Sequence, residues 1–368
     1  MLRKEACAKR LEALKDRLRV RGIPVAIVSD PKHVYYFTGL LLDPRTPGLL
    51  MVDSEADDAL IVPESQAATG EEQFGGRVIG YEHYSIQQIV HPEEHLWEVW
   101  SELAKKRGIV GTVGIEKAHL SVRFREVLSG DLVDISSDIA EMRKRKAADE
   151  IALIERCARW TDVGYSVAQA AIEEGKTELE VYAEVLSGCT KAAGVPLPLD
   201  GDFVSGERTI DIGGGPTDRT LRKDDLFILD LYPTYFGYQA DTCRTLVVGA
   251  PNAKQIELYD LLRRALEAGE EQLRPGVRAK DVYQRVYDTL ADAGYGARFP
   301  HHAGHGVGLN APEAPFLIPG SDEVLKEGMV VTLEPGIYLP GFGGLRMEDD
   351  YLITSDGRRV LSHFSRTL

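Results

Sequence analysis

Residues 2–21 place Cys7, Leu11, Leu14 and Leu18 at three- and four-residue steps among charged neighbours. That period predicts an amphipathic helix, which Gly22 stops. "PVAIVS" (24–29), "LLMVD" (49–53) and "ALIVPE" (59–64) are short apolar runs bounded by turn residues, and they predict strands. A helix over about 93–106 and a strand near 112–115 follow, an α/β pattern that predicts an N-terminal domain over 1–138. Near residue 140 the pattern changes. "EMRKRKAADE" (141–150) opens a charged helix at the end of a linker, and a second domain runs over 139–368.

The second domain contains an internal repeat. "GKTELEVYAEV" (175–185) matches "GVRAKDVYQRV" (276–286) in Gly, Val, Tyr and Val at a constant offset of 101 residues, and Glu180 corresponds to Asp281. Each copy follows a long helical pattern (149–173 and 253–273) and precedes strand-like segments. Thr177 with Glu180 predicts a capping box at the start of its helix. A repeat of this length predicts two similar halves with a shared cleft, against chance similarity of two helices.

Length and charge narrow the picture. A chain of 368 residues is long for one core, so two domains are expected. An apolar content of 43% and a charged content of 27% fit a soluble protein. No apolar run approaches the ~20 residues of a membrane helix, and the charged N-terminus has no signal-peptide core. A cytoplasmic location with no membrane partner is expected. Cys7, Cys157, Cys189 and Cys243 are scattered and read as reduced packing residues. A net charge of −15 argues against a nucleic-acid partner. Five of the nine histidines lie in the first domain without a close cluster of ligand types, so that domain reads as structural or oligomerising.

The chemistry lies in the second domain. Asp230 and Asp241 interrupt the apolar and aromatic stretch "FILDLYPTYFGYQADTCRT" (227–245), where "TYFGY" carries a turn glycine. Two close carboxylates in a low-dielectric site either share a proton or hold metal. "HHAGHGVGL" (301–309) sets His305 between glycines, "VVTLEPGIY" (330–338) ends a strand at Glu334, and "GGLRMEDDYLIT" (343–354) puts Glu348 inside another. Four carboxylates and one imidazole suit two divalent ions, and hard oxygen ligands with one nitrogen favour Mn²⁺, Co²⁺ or Zn²⁺. Singly, each residue has a plainer reading: an Asp at a strand end forms turns, a His beside Gly is exposed, and Glu348 beside Asp349 and Asp350 is a solvated edge.

Together, with gaps of 11, 64, 29 and 14 residues, these five positions resemble the metal ligands of the creatinase/prolidase/methionine aminopeptidase family, in its proline-peptidase branch. "LRVRGIPVAIVSDPKHVYYFTG" (18–39) is similar to the family's small N-terminal domain. The resemblance implies an α+β "pita-bread" catalytic domain with an internal pseudo-two-fold duplication. It implies that Asp230 chelates one ion, that Asp241 and Glu348 bridge, and that His305 and Glu334 hold the other. It further implies a bridging hydroxide that attacks a peptide carbonyl, Glu334 as proton carrier, and a catalytic His301. Tyr338 and Arg346 match family positions that orient the ligands. Short proline-containing peptides are the implied substrates, and a homodimer the implied assembly.

The chain also departs from that branch. In "DIGGGPTDRTL" (211–221) Gly213 stands where relatives carry a pocket histidine, and in "GHGVGLNAPEAP" (304–315) Pro312 stands where they carry another. A wider, less polar pocket is expected at both points. His302 is an extra imidazole on the same loop, read either as a stand-in or as solvent-facing. Three readings compete: an Xaa-Pro dipeptidase or aminopeptidase, a different metal-dependent hydrolase or lyase on the same fold, and a non-catalytic protein that retains metal. Arg45, His83 and Tyr84 are candidate contacts from the N-terminal domain to a partner's site.

Overall fold

A computed structural model describes residues 1–368. It divides into two compact units, Met1–Arg143 and Lys144–Leu368. The division falls at Arg143, beyond the expected residue 138, because the helix Ser136–Arg143 packs on the first helix of the chain.

The first unit runs α1 (Lys4–Val20), β1 (Val25–Val28), α2 (Pro31–Thr38), β2 (Leu49–Asp53), β3 (Ala59–Pro63), α3 (Glu64–Gln73), β4 (Arg77–Tyr81), α4 (Pro92–Arg107), β5 (Val113–Ile115), α5 (Val122–Arg125), β6 (Leu132–Asp134) and α6 (Ser136–Arg143). Its six strands form one mixed sheet in the order β4-β3-β2-β1-β5-β6. As the periodicity requires, α1 buries Cys7, Leu11, Leu14 and Leu18. The "DPKHVYYFTG" stretch, for which no element was expected, forms α2. Asp30 caps it by accepting from Lys32 N, Pro31 opens it, and Gly39 closes it in the left-handed region at φ 76°.

The second unit repeats one motif. α7 (Ala148–Ala171) and α8 (Glu178–Ala193) precede β7 (Leu199–Ser205), β8 (Leu226–Tyr235), β9 (Tyr238–Gln239) and β10 (Thr242–Val247). These strands form an antiparallel sheet ordered β10-β8-β7, with β9 turned back on β8. Then α9 (Ala253–Glu270) and α10 (Ala279–Asp292) precede β11 (His305–Gly306), β12 (Glu313–Phe316), β13 (Val330–Leu333), β14 (Gly336–Leu339), β15 (Gly343–Arg346), β16 (Asp349–Ile353) and β17 (Arg358–Val360). The second sheet is ordered β12-β11-β13-β16-β17, and β14 pairs with β15 as a separate hairpin. The helices α8 and α10 begin at Glu178 and Ala279, and 279 − 178 reproduces the 101-residue offset. A backbone bridge between Cys243 and Glu348 joins the two sheets. All four cysteines are buried and none forms a disulfide, and no helix is long and apolar enough to cross a membrane.

The capping box forms as read: Glu180 N donates to Thr177 Oγ1 at 3.2 Å, and Thr177 N donates to the Glu180 carboxylate at 2.7 Å. Thr177→Ala should therefore lower the unfolding free energy by about 1 kcal/mol, while Thr177→Ser stays within a few tenths of wild type. Urea unfolding of the three proteins checks this, and an unchanged midpoint for the alanine variant would remove the cap from the account.

Candidate metal centre

The acids sit where strand pairing leaves no choice of face. Asp230 lies mid-strand in β8, opposite Cys243 of β10 on one side and Asp202 of β7 on the other. Phe236 at φ 45° and Gly237 at φ 77° turn the chain after β8, and Asp241 falls in the break between β9 and β10. Asp241 N donates to Asp350 Oδ2 at 3.0 Å, which fixes its backbone. Glu348 lies at the junction of β15 and β16, held by Glu348 N donating to Cys243 O at 2.9 Å and by the buried Arg244 donating to Glu348 O at 2.6 Å. It is fully covered, so the solvated-edge reading of Glu348 fails. Arg244 in turn is neutralised by Asp349 at 2.7 Å, so these neighbouring charges serve structure.

His305 is oriented from behind. Its Nδ1 faces Gly306 O at 3.1 Å, and Thr332 Oγ1 accepts from its backbone N–H. With the proton on Nδ1, the Nε2 lone pair is free. It points at Asp241 Oδ2 (3.4 Å) and Glu334 Oε1 (3.6 Å). The neighbouring Gly304 has φ 156°, and a Cβ there would stand 2.1 Å from Thr332 O, so only glycine lets the histidine loop pass the strand.

All five predicted ligands are buried and come together. The ligand atoms of Asp241, His305 and Glu348 lie within 4.8 Å of one another, as do those of His302, His305 and Glu334. Asp230 joins through its contact with Asp241. Asp230 Oδ1, Glu334 Oε1 and Glu348 Oε1 are buried oxygens without a hydrogen bond. Buried carboxylate oxygens left without a hydrogen bond are costly unless a cation takes them, so the donor set fits divalent metal. The electrostatics agree. Burial pushes Asp230 up to about 7 even though Arg346 opposes it. Burial, with the Asp230 and Asp241 charges respectively, pushes Asp241 and Glu348 well above the carboxylate range. Burial also works on Glu334, but His302, His305 and His301 outweigh it and hold that carboxyl at about 2.

A hydrogen-bonded chain supports the acids. Arg346 Nη2 donates to Asp230 Oδ2 at 2.7 Å and Arg346 Nη1 to Tyr338 Oη at 3.2 Å. The Tyr338 hydroxyl faces His301 Nε2 at 3.0 Å, and His301 Nδ1 faces His302 O at 2.8 Å. Burial lowers His301 to about 4, so it is neutral near pH 7 and accepts from Tyr338. Ile212, a β-branched residue at φ 75°, turns its carbonyl onto Arg346 Nη1. Backbone strain of this kind persists only where its surroundings fix it.

Asp202 belongs to this chain and was missed by sequence reasoning. Its Oδ2 accepts from the same Arg346 Nη2 at 2.6 Å and its Oδ1 from Gly214 N at 2.8 Å. The available signal was a second acid, two residues after Asp200, in the strand "LDGDFVS". Asp202 also corrects the expectation of a wide, less polar pocket at Gly213. A Cβ on Gly213 would lie 2.5 Å from Asp202 Oδ2, so a carboxylate already fills that space. Pro312 lies exposed between β11 and β12. His302 does not turn away to solvent, because its Nε2 is 2.8 Å from Glu334 Oε1.

The first unit holds a cluster that its sequence did not suggest: Asp30, His33 and Glu116. It is satisfied internally. Arg143 Nη1 donates to His33 Nε2 at 2.7 Å, which leaves the His33 Nδ1 proton for Glu116 Oε1. Glu116 Oε2 accepts from Ser29 N and Asp30 N. Arg45, His83 and Tyr84 line one surface pocket of about 490 Å³ in the same unit.

A duplicated helix–helix–sheet unit around buried carboxylates and an imidazole is the fold and site of a metallopeptidase. Residues 152–355 match the model of metallopeptidase family M24, and residues 10–145 match the creatinase/prolidase N-terminal domain. The chain belongs to this creatinase/prolidase family. It is 33% identical to the Xaa-Pro dipeptidase of Pyrococcus furiosus, over 98% of this chain and 99% of that protein. It is 31% identical to the Xaa-Pro dipeptidase of Lactobacillus helveticus, over 97% and 98%. Among solved structures, the prolidase from Pyrococcus furiosus superposes with a TM-score of 0.83 at 32% identity, covering 95% of this chain and 99% of that one. The Xaa-Pro dipeptidase from Bacillus anthracis gives 0.88 at 26%, covering 98% and 99%.

Two outcomes follow from this geometry. Asp241 and Glu348 have raised folded-state pKa values, so metal-free folded protein keeps protons that the unfolded chain has released. The stability these two groups contribute to the metal-free form should fall as pH rises above the ordinary carboxylate range of about 4, while the metal-loaded form, whose carboxylates would already be ionised, should not weaken. Melting curves of both forms as pH is raised from that range check this, and a metal-free profile parallel to the metal-loaded one would contradict the shifts. Gly213→His should cost about 1–3 kcal/mol by overpacking, and Asp202→Ala in the same chain should recover most of it. Equal stability of wild type and the single variant would show that Asp202 yields freely.

Proposed function

We propose that this chain is a dinuclear metallopeptidase that cleaves the Xaa–Pro bond of dipeptides. The observation that supports this most is the gathering of Asp241, Glu334 and Glu348 about His305, with Asp230 against Asp241, and with three ligand oxygens lacking a geometric hydrogen bond and one guanidinium among them. Four acids against one arginine leave more negative charge than a buried site sustains, and two divalent cations balance it. Asp230, Asp241, His305, Glu334 and Glu348 would hold two ions, Mn²⁺, Co²⁺ or Zn²⁺. Such ions, when bound, supply water activation and carbonyl polarisation. The dipeptide substrate class comes from the relatives, which are named Xaa-Pro dipeptidases over nearly their full length.

The chain's own groups then have separate tasks. Glu334 is ionised and accepts a proton. Arg346 fixes the Asp230 carboxylate. Tyr338, between Arg346 and His301, is held so that its hydroxyl donates to the neutral imidazole. Asp202 puts an acceptor, not a donor, at the wall beside Gly213. Metal-dependent turnover of Xaa-Pro dipeptides should therefore be slower, or differently selective, than in relatives with imidazoles at that wall.

Elemental analysis after reconstitution should find about two ions per chain. Asp241→Asn and Glu348→Gln should each abolish dipeptide hydrolysis and shrink the metal-induced rise in melting temperature, since bound metal stabilises only the folded state. Wild-type turnover in either variant would refute the ligand roles. No metal-dependent cleavage on an Xaa-Pro panel, with turnover of an unrelated small molecule at the same ions, would favour another hydrolase on this fold.

A further inference from the structure

His302 enters the centre from its open side. A third of its side chain is exposed, and Nε2 lies 2.8 Å from Glu334 Oε1. The two groups pair across this contact on the rim of the centre. His305 Nε2 lies 3.6 Å from the same oxygen. The two imidazole rings stand 5.3 Å apart with planes at 73°. No hydrogen bond elsewhere in the protein engages either nitrogen of the His302 ring. Two imidazoles and a carboxylate whose ligand atoms all lie within 4.8 Å of one another are arranged as ligands about a common point.

We propose that His302 is a further metal ligand, forming with His305 and Glu334 an imidazole-rich half of the centre. The assignment rests on the dinuclear reading above. It makes the two halves chemically unlike. The half served by Asp230, Asp241 and Glu348 is all oxygen and accepts Mn²⁺ readily. The half with two imidazoles favours Zn²⁺ or Co²⁺, because nitrogen donors suit those ions better than Mn²⁺. The protein then selects metal differently at its two positions, through a residue three places before His305.

The test uses the full chain, stripped of metal and titrated with Zn²⁺ and with Mn²⁺, together with the visible absorption of the Co²⁺ form. Wild type should take up two Zn²⁺ ions. His302→Ala should weaken one of the two Zn²⁺ sites by ~10–100-fold, at least what losing an outer partner of a ligand costs. It should also change the Co²⁺ absorption bands. His302→Gln, which keeps size and polarity, should show the same loss and guards against a loop that does not tolerate alanine. Wild type and both variants with two Zn²⁺ ions, equal affinities and the same Co²⁺ spectrum would overturn the His302 assignment alone. A wild type that binds no ion would overturn it together with the dinuclear reading.

Discussion

The guanidinium of Arg346 is the cation that the protein sets against Asp230 at the centre of its buried acids. It bonds Asp230 and Asp202 through a single nitrogen, and through the other it reaches Tyr338 and the carbonyl of Ile212. Without it, Asp230 would be an uncompensated buried charge, and truncating one partner of such a pair typically costs 3–5 kcal/mol. The loop that turns at Ile212, the strand pair β7–β8 and the hairpin β14–β15 all meet on this side chain.

Arg346 cannot neutralise the whole group, and the fold is built on that shortfall. Asp241 and Glu348 lie beyond its reach and are pressed together by backbone contacts, not by attraction between their side chains. Asp350 anchors Asp241 N–H, while Arg244 and Cys243 fix the Glu348 backbone. The scaffold therefore pays in advance for holding like charges close. On the proposed dinuclear reading, a centre assembled in this way would need little reorganisation to take up cations, since its candidate ligands already stand together.

Much of this was legible in the sequence because it depended on local period and on motif order. The helix Lys4–Val20, four of the six strands of the first unit and the capping box at Thr177 follow from residue spacing, and the 101-residue offset announced the paired halves. The five candidate ligands were readable as a set, by their order and spacing, although each one singly had a plainer structural reading. The rest depended on register and side-chain direction. Asp202 acquires its role only because β7 pairs with β8 so that residues 202 and 230 oppose each other. His302 turns inward because its loop curves back on Glu334. Gly213 read as open space because a sequence does not show what fills the room beside a missing side chain.

That last pair has a consequence for how this pocket can change over evolutionary time. A carboxylate at 202 and any side chain at 213 compete for one volume, with Gly213 carrying no Cβ to contest it. A bulky residue arriving first at 213 meets a filled space, and the loss of Asp202 arriving first leaves Gly214 N–H without its acceptor and Arg346 without one of its two acids. Each single step is penalised by a different loss. What either position can hold therefore depends on the other, and the two can only change in concert.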